Sequence, residues 1–106
     1  MKSSEALKKA VDLYQSNGLT VIYRQAGVSP RLVAYDRRKE EAILVVIRRP
    51  LNKSYKAHKR SCRNAINSLL AWHQEWVKAN SWKGSVRLES IAIYGACEMD
   101  HVFNRK

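Results

Sequence analysis

Two prolines, four glycines and two cysteines are spread through 106 residues, and each scarcity closes off a class of chain. So little proline and glycine does not suit a collagen-like or linker-like polymer. Cys62 and Cys97 are too few for a disulfide framework. Neither stands near the other, or near a histidine at zinc-ligand spacing, so both are expected to be reduced structural thiols. No apolar run approaches the roughly eighteen residues that a membrane span requires. The opening MKSSEALKKAVDLY lacks the apolar stretch of an export signal and reads as a helix, which makes the cytoplasm the expected location. Acid is the other shortage. Nine Asp and Glu stand against twenty Lys and Arg, a formal charge of +11. A field of that sign attracts polyanions and speeds encounter with them. Nucleic acid is the expected partner, DNA or RNA, while an acidic protein or a plain solubility surface would also account for the charge.

What is present is a chain 45% apolar. That argues against wholesale disorder and suits one domain over residues 1–106, with a real core but little surplus stability. Leu7, Ala10, Val11 and Tyr14 recur at helical spacing and predict a helix over 4–17, stopped at Asn17-Gly18. LTVIYR (19–24) and LVAYD (to 36) read as strands, and RRKEE (37–41) as their hairpin connection to the next. AILVVIR (42–48) is continuously apolar, the pattern of a central strand covered on both faces, and Pro50 discourages further pairing.

A long amphipathic helix is predicted over 54–79. Cys62, Ala65, Ile66, Leu69, Leu70, His73, Trp76 and Val77 lie on its core side, with Lys56, Lys59, Arg60, Arg63, Asn67, Gln74 and Lys78 round the other. NSWKG breaks the helix, VRLESIAIY (86–94) is another strand, and a shorter one follows Gly95. The order is α-β-β-β-α-β-β, without repeats, low-complexity tracts or a second domain. An α/β sandwich with a mixed sheet is the simplest solution, residues 42–47 near its middle and the two helices on different parts of it.

Three basic groups are candidates for holding phosphate. Arg31, Arg48 and Arg49 occupy or adjoin the ends of two strands expected to be neighbours. Lys53, Lys56, Lys59, Arg60 and Arg63 fill the lead-in and first turns of the long helix, with Lys56, Arg60 and Arg63 on one face. Arg37, Arg38 and Lys39 form the hairpin tip. The bland reading of all three is a solvated surface. Tyr55 lies among the helix cations, Trp76 is expected in the core, Trp72 at its edge and Trp82 over the helix–strand link. None repeats in the alternating sheet pattern of the common RNA-recognition module, which favours duplex or branched DNA over single strands.

Catalytic chemistry is thinly represented. Asp36 with Glu40 or Glu41 is the best acidic cluster, and its ordinary reading is a turn balancing Arg37, Arg38 and Lys39. Glu89 is expected in a strand salt bridge or exposed to solvent. His58 sits among the helix cations and His73 beside the apolar face. His101 neighbours Asp100, where strand alternation points the two apart. Ser61 and Cys62 have no ordered triad around them. No cofactor or metal site is expected.

Several strings in this order resemble the small YraN-like family of predicted endonucleases, in the restriction-endonuclease-like superfamily that includes archaeal Holliday-junction resolvases. Asn17-Gly18-Leu19 is similar to the family's helix end and strand entry. Leu32 to Asp36 is similar to its strand after a Gly-Glu-Ile-Asp motif, and Leu44 to Arg49 to the strand carrying Val-Glu-Val-Lys. Val86 to Ile93 and Glu98 to Asn104 resemble its last two segments. The resemblance runs through most of the chain and implies a restriction-endonuclease-like sandwich, with dimerisation through an apolar sheet edge or the final MDHVF.

The signature residues depart from it. The family's metal-holding aspartate falls at Arg31, its preceding glutamate at Ser29, its strand glutamate at Val46 and its lysine at Arg48. Hydrolysis of this type needs an ion to hold the phosphate and activate water, and magnesium demands hard oxygen ligands. Val46 offers none, Arg31 repels a cation, and Arg48 stays protonated and is a poor base. The expectation is a degenerate nuclease cleft that grips a DNA backbone without cutting it. The alternatives are a magnesium-dependent endonuclease using Asp36, Glu40 or Glu41, and a basic protein-interaction or inhibitor module.

Overall fold

The computed structural model describes residues 3–27, 30–48, 55–94 and 98–99; within these, the side chains of 55–62, 65, 66, 92, 94, 98 and 99 are outside the description. The elements are α1 (Ser3–Ser16), β1 (Thr20–Gln25), β2 (Arg31–Asp36), β3 (Glu41–Arg48), α2 (Tyr55–Ala79), β4 (Ser85–Tyr94) and β5 (Glu98–Met99). The expected order is present, and each described boundary falls within a residue or so of its expected position. Cys97 and His101 lie outside the described residues, as does the segment after Met99 that was expected to continue the last strand.

The sheet runs β1-β2-β3-β4-β5. β1, β2 and β3 are antiparallel neighbours, β3 and β4 are parallel, and β5 adds a short antiparallel pair at Ile93↔Met99 and Tyr94↔Glu98. A parallel pair cannot be joined by a tight turn. The 25-residue α2 lies in the connection between β3 and β4 and covers one face of the sheet.

Alternation along each strand sorts the core into two layers. On one face, Leu32, Ala34, Ile43, Val45, Ile47, Ile91 and Ile93 pack against Ala6, Leu7, Ala10, Val11 and Tyr14 of α1. On the other, Val33, Ala42, Leu44, Val46 and Leu88 meet Leu69 and Trp72 of α2, with Leu70, Trp76, Trp82 and Val86 partly buried around them. The two helices therefore take opposite faces. β3 is buried from Ala42 through Arg48, as its unbroken apolar run implies. Among the described residues, no helix is long and apolar enough to cross a membrane.

The link from α2 to β4 is stapled by Trp82. Its Nε1 donates to the Ser85 carbonyl at 3.1 Å, and its ring packs on Trp76 and edge-on against Tyr35. Gly84 passes so close to the hairpin tip that a Cβ there would overlap the Glu40 carbonyl oxygen and crowd the Trp82 ring. Backbone cannot swing aside as a side-chain end can. Gly84→Ala is therefore expected to cost about 1–3 kcal/mol, the usual range for overpacking. Lys83→Ala, at an exposed neighbour, should stay within about 0.5 kcal/mol. Urea unfolding of the two variants checks the contrast.

Candidate nucleic-acid interface

The β2–β3 hairpin decides which of the basic residues can act together. Its register sets Arg31 directly opposite Val46, with Asp36 opposite Glu41 at the other end. Arg48 stands two residues beyond Val46 on the same strand, so alternation puts both arginines on the α2 face at one end of the sheet.

Arg31 is partly exposed. Its Nη2 donates to Ser68 Oγ of α2 at 2.9 Å, and its guanidinium lies 5.0 Å from the centre of the Trp72 ring. A hydrogen bond on one edge and an indole beneath leave the cation oriented before any ligand arrives. Arg48 is placed differently. It is only 6% exposed, and its Nε donates to the buried Ser90 Oγ at 2.8 Å. It is thus a buried cation beside the partly exposed Arg31.

Contacts along α2 give the direction of the helix over the hairpin. Ser68 and Trp72 meet Arg31, whereas Trp76 and Trp82 are gathered at the Tyr35 end. The basic first turns of α2 thus extend from the Arg31 end. Arg63 is exposed there. Lys56, Lys59 and Arg60 lie on the helix, but their side chains are outside the description, and Arg49, Lys53 and Ser29 are outside the described residues altogether.

Arg37, Arg38 and Lys39 are not part of this cluster. They are exposed at the opposite end of the hairpin, about 17–20 Å away along a six-residue strand. The basic groups named from the sequence thus divide, with Arg31 and Arg48 at one end of the hairpin and the tip at the other.

The acids are also settled. Asp36 Oδ1 accepts from the backbone N–H of Arg38 at 3.0 Å and of Lys39 at 3.4 Å, so it shapes the turn. Glu40 is exposed and holds a positive φ of 50°. Glu41 pairs with Arg87 at 3.6 Å. Asp36 and Glu41 alternate onto the α1 face, the side of the sheet away from Arg31 and Val46. Among the described residues, no three His, Cys, Asp or Glu side chains are grouped to hold a metal. The donors at Arg31 and Val46 do not fit a magnesium ion, because one is a cation and the other a hydrocarbon.

Of the two expectations for Glu89, the strand salt bridge is the one present. It is 6% exposed, neither solvated nor at an edge. It pairs with Arg87 Nε at 2.9 Å and accepts a short hydrogen bond from the Tyr14 hydroxyl of α1. The alternation in VRLESI placed Glu89 on the Arg87 face; only the docking of α1 shows that this face is covered. His73 is at the boundary, half-buried. A cleft of about 390 Å³ between α1 and β1, lined by Leu7, Lys8, Val11 and Arg24, lies on the α1 face and is separate from the arginine site.

Burial, then the charge of Glu89 and its hydrogen bond, push the Tyr14 phenol far above its ordinary range, with Arg87 opposing in part. The folded state thus holds the Tyr14 proton more tightly than the unfolded chain does. This contribution is intact below about pH 10, where the unfolded phenol titrates, and is lost as the pH climbs beyond it. Tyr14→Phe leaves Glu89 buried with one donor fewer. It should cost about 1.5–3 kcal/mol at neutral pH, the range for hydrogen bonds to charged groups. It should also flatten the alkaline fall in stability, as read by urea midpoints at several pH values.

No protein-family model matches the chain, and no curated protein matches it.

Proposed function

We propose that this chain binds DNA through its phosphate backbone and does not cut it, using a restriction-endonuclease-like sandwich whose catalytic carboxylates have been replaced. The observation that carries this reading is the pairing of Arg31 with Val46. The resemblance assigns metal ligands to these two positions, and they face each other across neighbouring strands as a guanidinium and a buried hydrocarbon. A guanidinium presents a planar fork of donors that matches phosphate oxygens. Ser68 and Trp72 hold that fork in place, Arg48 adds charge from beneath, and the start of α2 continues the positive surface with Arg63.

Contacts of this kind fix affinity and register on the backbone and carry little base information. Duplex or branched DNA is therefore the proposed target, bound largely without regard to sequence. The charge of +11 supplies the long-range attraction.

Titration of duplex, four-way junction and single-stranded DNA, and of RNA, over a salt series with and without magnesium or manganese tests the proposal. Binding is expected to weaken with salt and to yield no cleaved product. Arg31→Ala should lower duplex affinity about tenfold, as for loss of one charged hydrogen bond, and reduce the salt slope by about 0.9. Unchanged affinity in that variant would remove the grip. Metal-dependent scission that disappears in Asp36→Asn or Glu41→Gln would establish the endonuclease instead, and tight binding of an acidic protein without DNA affinity would establish the interaction module. Arg48→Ala, by contrast, should lower folding stability first, because it strips a buried donor from Ser90; thermal unfolding separates the two arginines.

A further inference from the structure

β1 is an edge strand, and its pairing with β2 slips by one residue. Val21 pairs with Ala34 and Tyr23 with Val33, so Ile22 is an extra residue between two consecutive partners. Strict alternation would send Tyr23 to the α1 side with Val21. The bulge reverses this and gives Tyr23 the face of Val33, the face that carries Arg31. Gln25 follows, paired with Arg31 itself. The Tyr23 ring lies 6.2 Å from that of Trp72, the same indole that backs the Arg31 guanidinium at 5.0 Å, and its hydroxyl donates to Gln25 Oε1 at 2.7 Å. Despite these contacts, Tyr23 remains 43% exposed.

An exposed aromatic on an edge strand suggests pairing with another strand, but the bulge works against that. It interrupts the row of backbone groups that a second strand would need, a common way of blocking edge-to-edge association. What the bulge does provide is a ring held beside a fixed cation. We infer that Tyr23 is a stacking platform for an unpaired base of a DNA strand whose neighbouring phosphate is held by Arg31. Stacking needs an open π-face, and bases inside a continuous duplex have theirs covered by their neighbours. The preferred substrate is therefore DNA with an overhang, a gap or a branch point, and the contact tolerates any base.

This inference rests on the DNA-binding reading, and the test separates the two. A duplex with a short dT overhang carrying 2-aminopurine and a blunt duplex of the same sequence are titrated with the wild-type chain and with Tyr23→Leu, Tyr23→Phe and Arg31→Ala. Circular dichroism and thermal melting verify that each variant is folded. The wild type should bind the overhang more tightly than the blunt duplex and quench 2-aminopurine. Tyr23→Leu should weaken overhang binding about tenfold, a typical effect of losing one stacked base, leave blunt binding unchanged and abolish the quench. Tyr23→Phe should retain both. If Tyr23→Leu binds both DNAs like wild type while Arg31→Ala weakens both, the platform is wrong and the phosphate grip stands. If the wild type binds neither DNA, both fall. If a uridine overhang is bound at least tenfold more tightly than dT, the strand is RNA and the DNA assignment is overturned.

Discussion

The constraint on which the rest depends is the burial of β3 on both of its faces. Seven consecutive residues, Ala42 through Arg48, are shielded from water. A strand of that kind needs a paired neighbour on each edge and a packed layer above and below. β2 and β4 supply the edges, while α1 and α2 supply the layers. Because β4 is parallel to β3, the chain must cross from one end of the sheet to the other, and α2 lies in that crossing. This carries the helix over the end of the sheet where β2 begins and β3 finishes. Arg31 and Arg48 are brought under one roof by the same connection that completes the core.

Burial of Arg48 follows from its place at the end of this run. A charge taken out of water is tolerated only with compensating partners, and Ser90 on the neighbouring strand is one of them. Arg31 is the first residue of β2, between β1 and β3, and keeps part of its surface. The difference between the buried and the partly exposed arginine is a difference of place in the sheet. Residue type alone does not separate them.

That limit describes what could be read in the chain beforehand. Apolar periodicity identified both helices and the central strand, since burial imposes the 3.6 and continuous patterns directly on the residues at 7, 10, 11 and 14 and at 42–47. The Asp36 turn was legible because aspartate before a charged tip has a local partner in its own backbone. The burial of Glu89 was not: a glutamate between Arg87 and Ser90 looks solvated until Tyr14, seventy-five residues earlier in sequence, is laid over it. Tyr23 was hidden for a related reason. TVIYRQ reads as plain alternation, and the single extra residue that redirects the tyrosine is a property of the β1–β2 pairing. No residue in that segment is a glycine to announce it.

The sheet also keeps Asp36, Glu41 and Glu89 off the face of Arg31 and Arg48. Asp36, Glu41 and Glu89 alternate onto the α1 face, where Arg87 and the backbone of the turn engage them. Arg31 and Arg48 alternate onto the α2 face, partnered by hydroxyls and an indole. A strand of fixed register cannot exchange these faces without shifting by one residue, and such a shift would also turn the core outward. These three acids are thus kept from the arginine side by the same alternation that builds the two hydrophobic layers. Arg31 is engaged by a hydroxyl and an indole, both neutral groups, and it keeps part of its surface exposed. Segregation of this kind opposes the assembly of a metal centre around Arg31 and Val46, because the oxygen ligands such an ion needs are on the other face of the sheet.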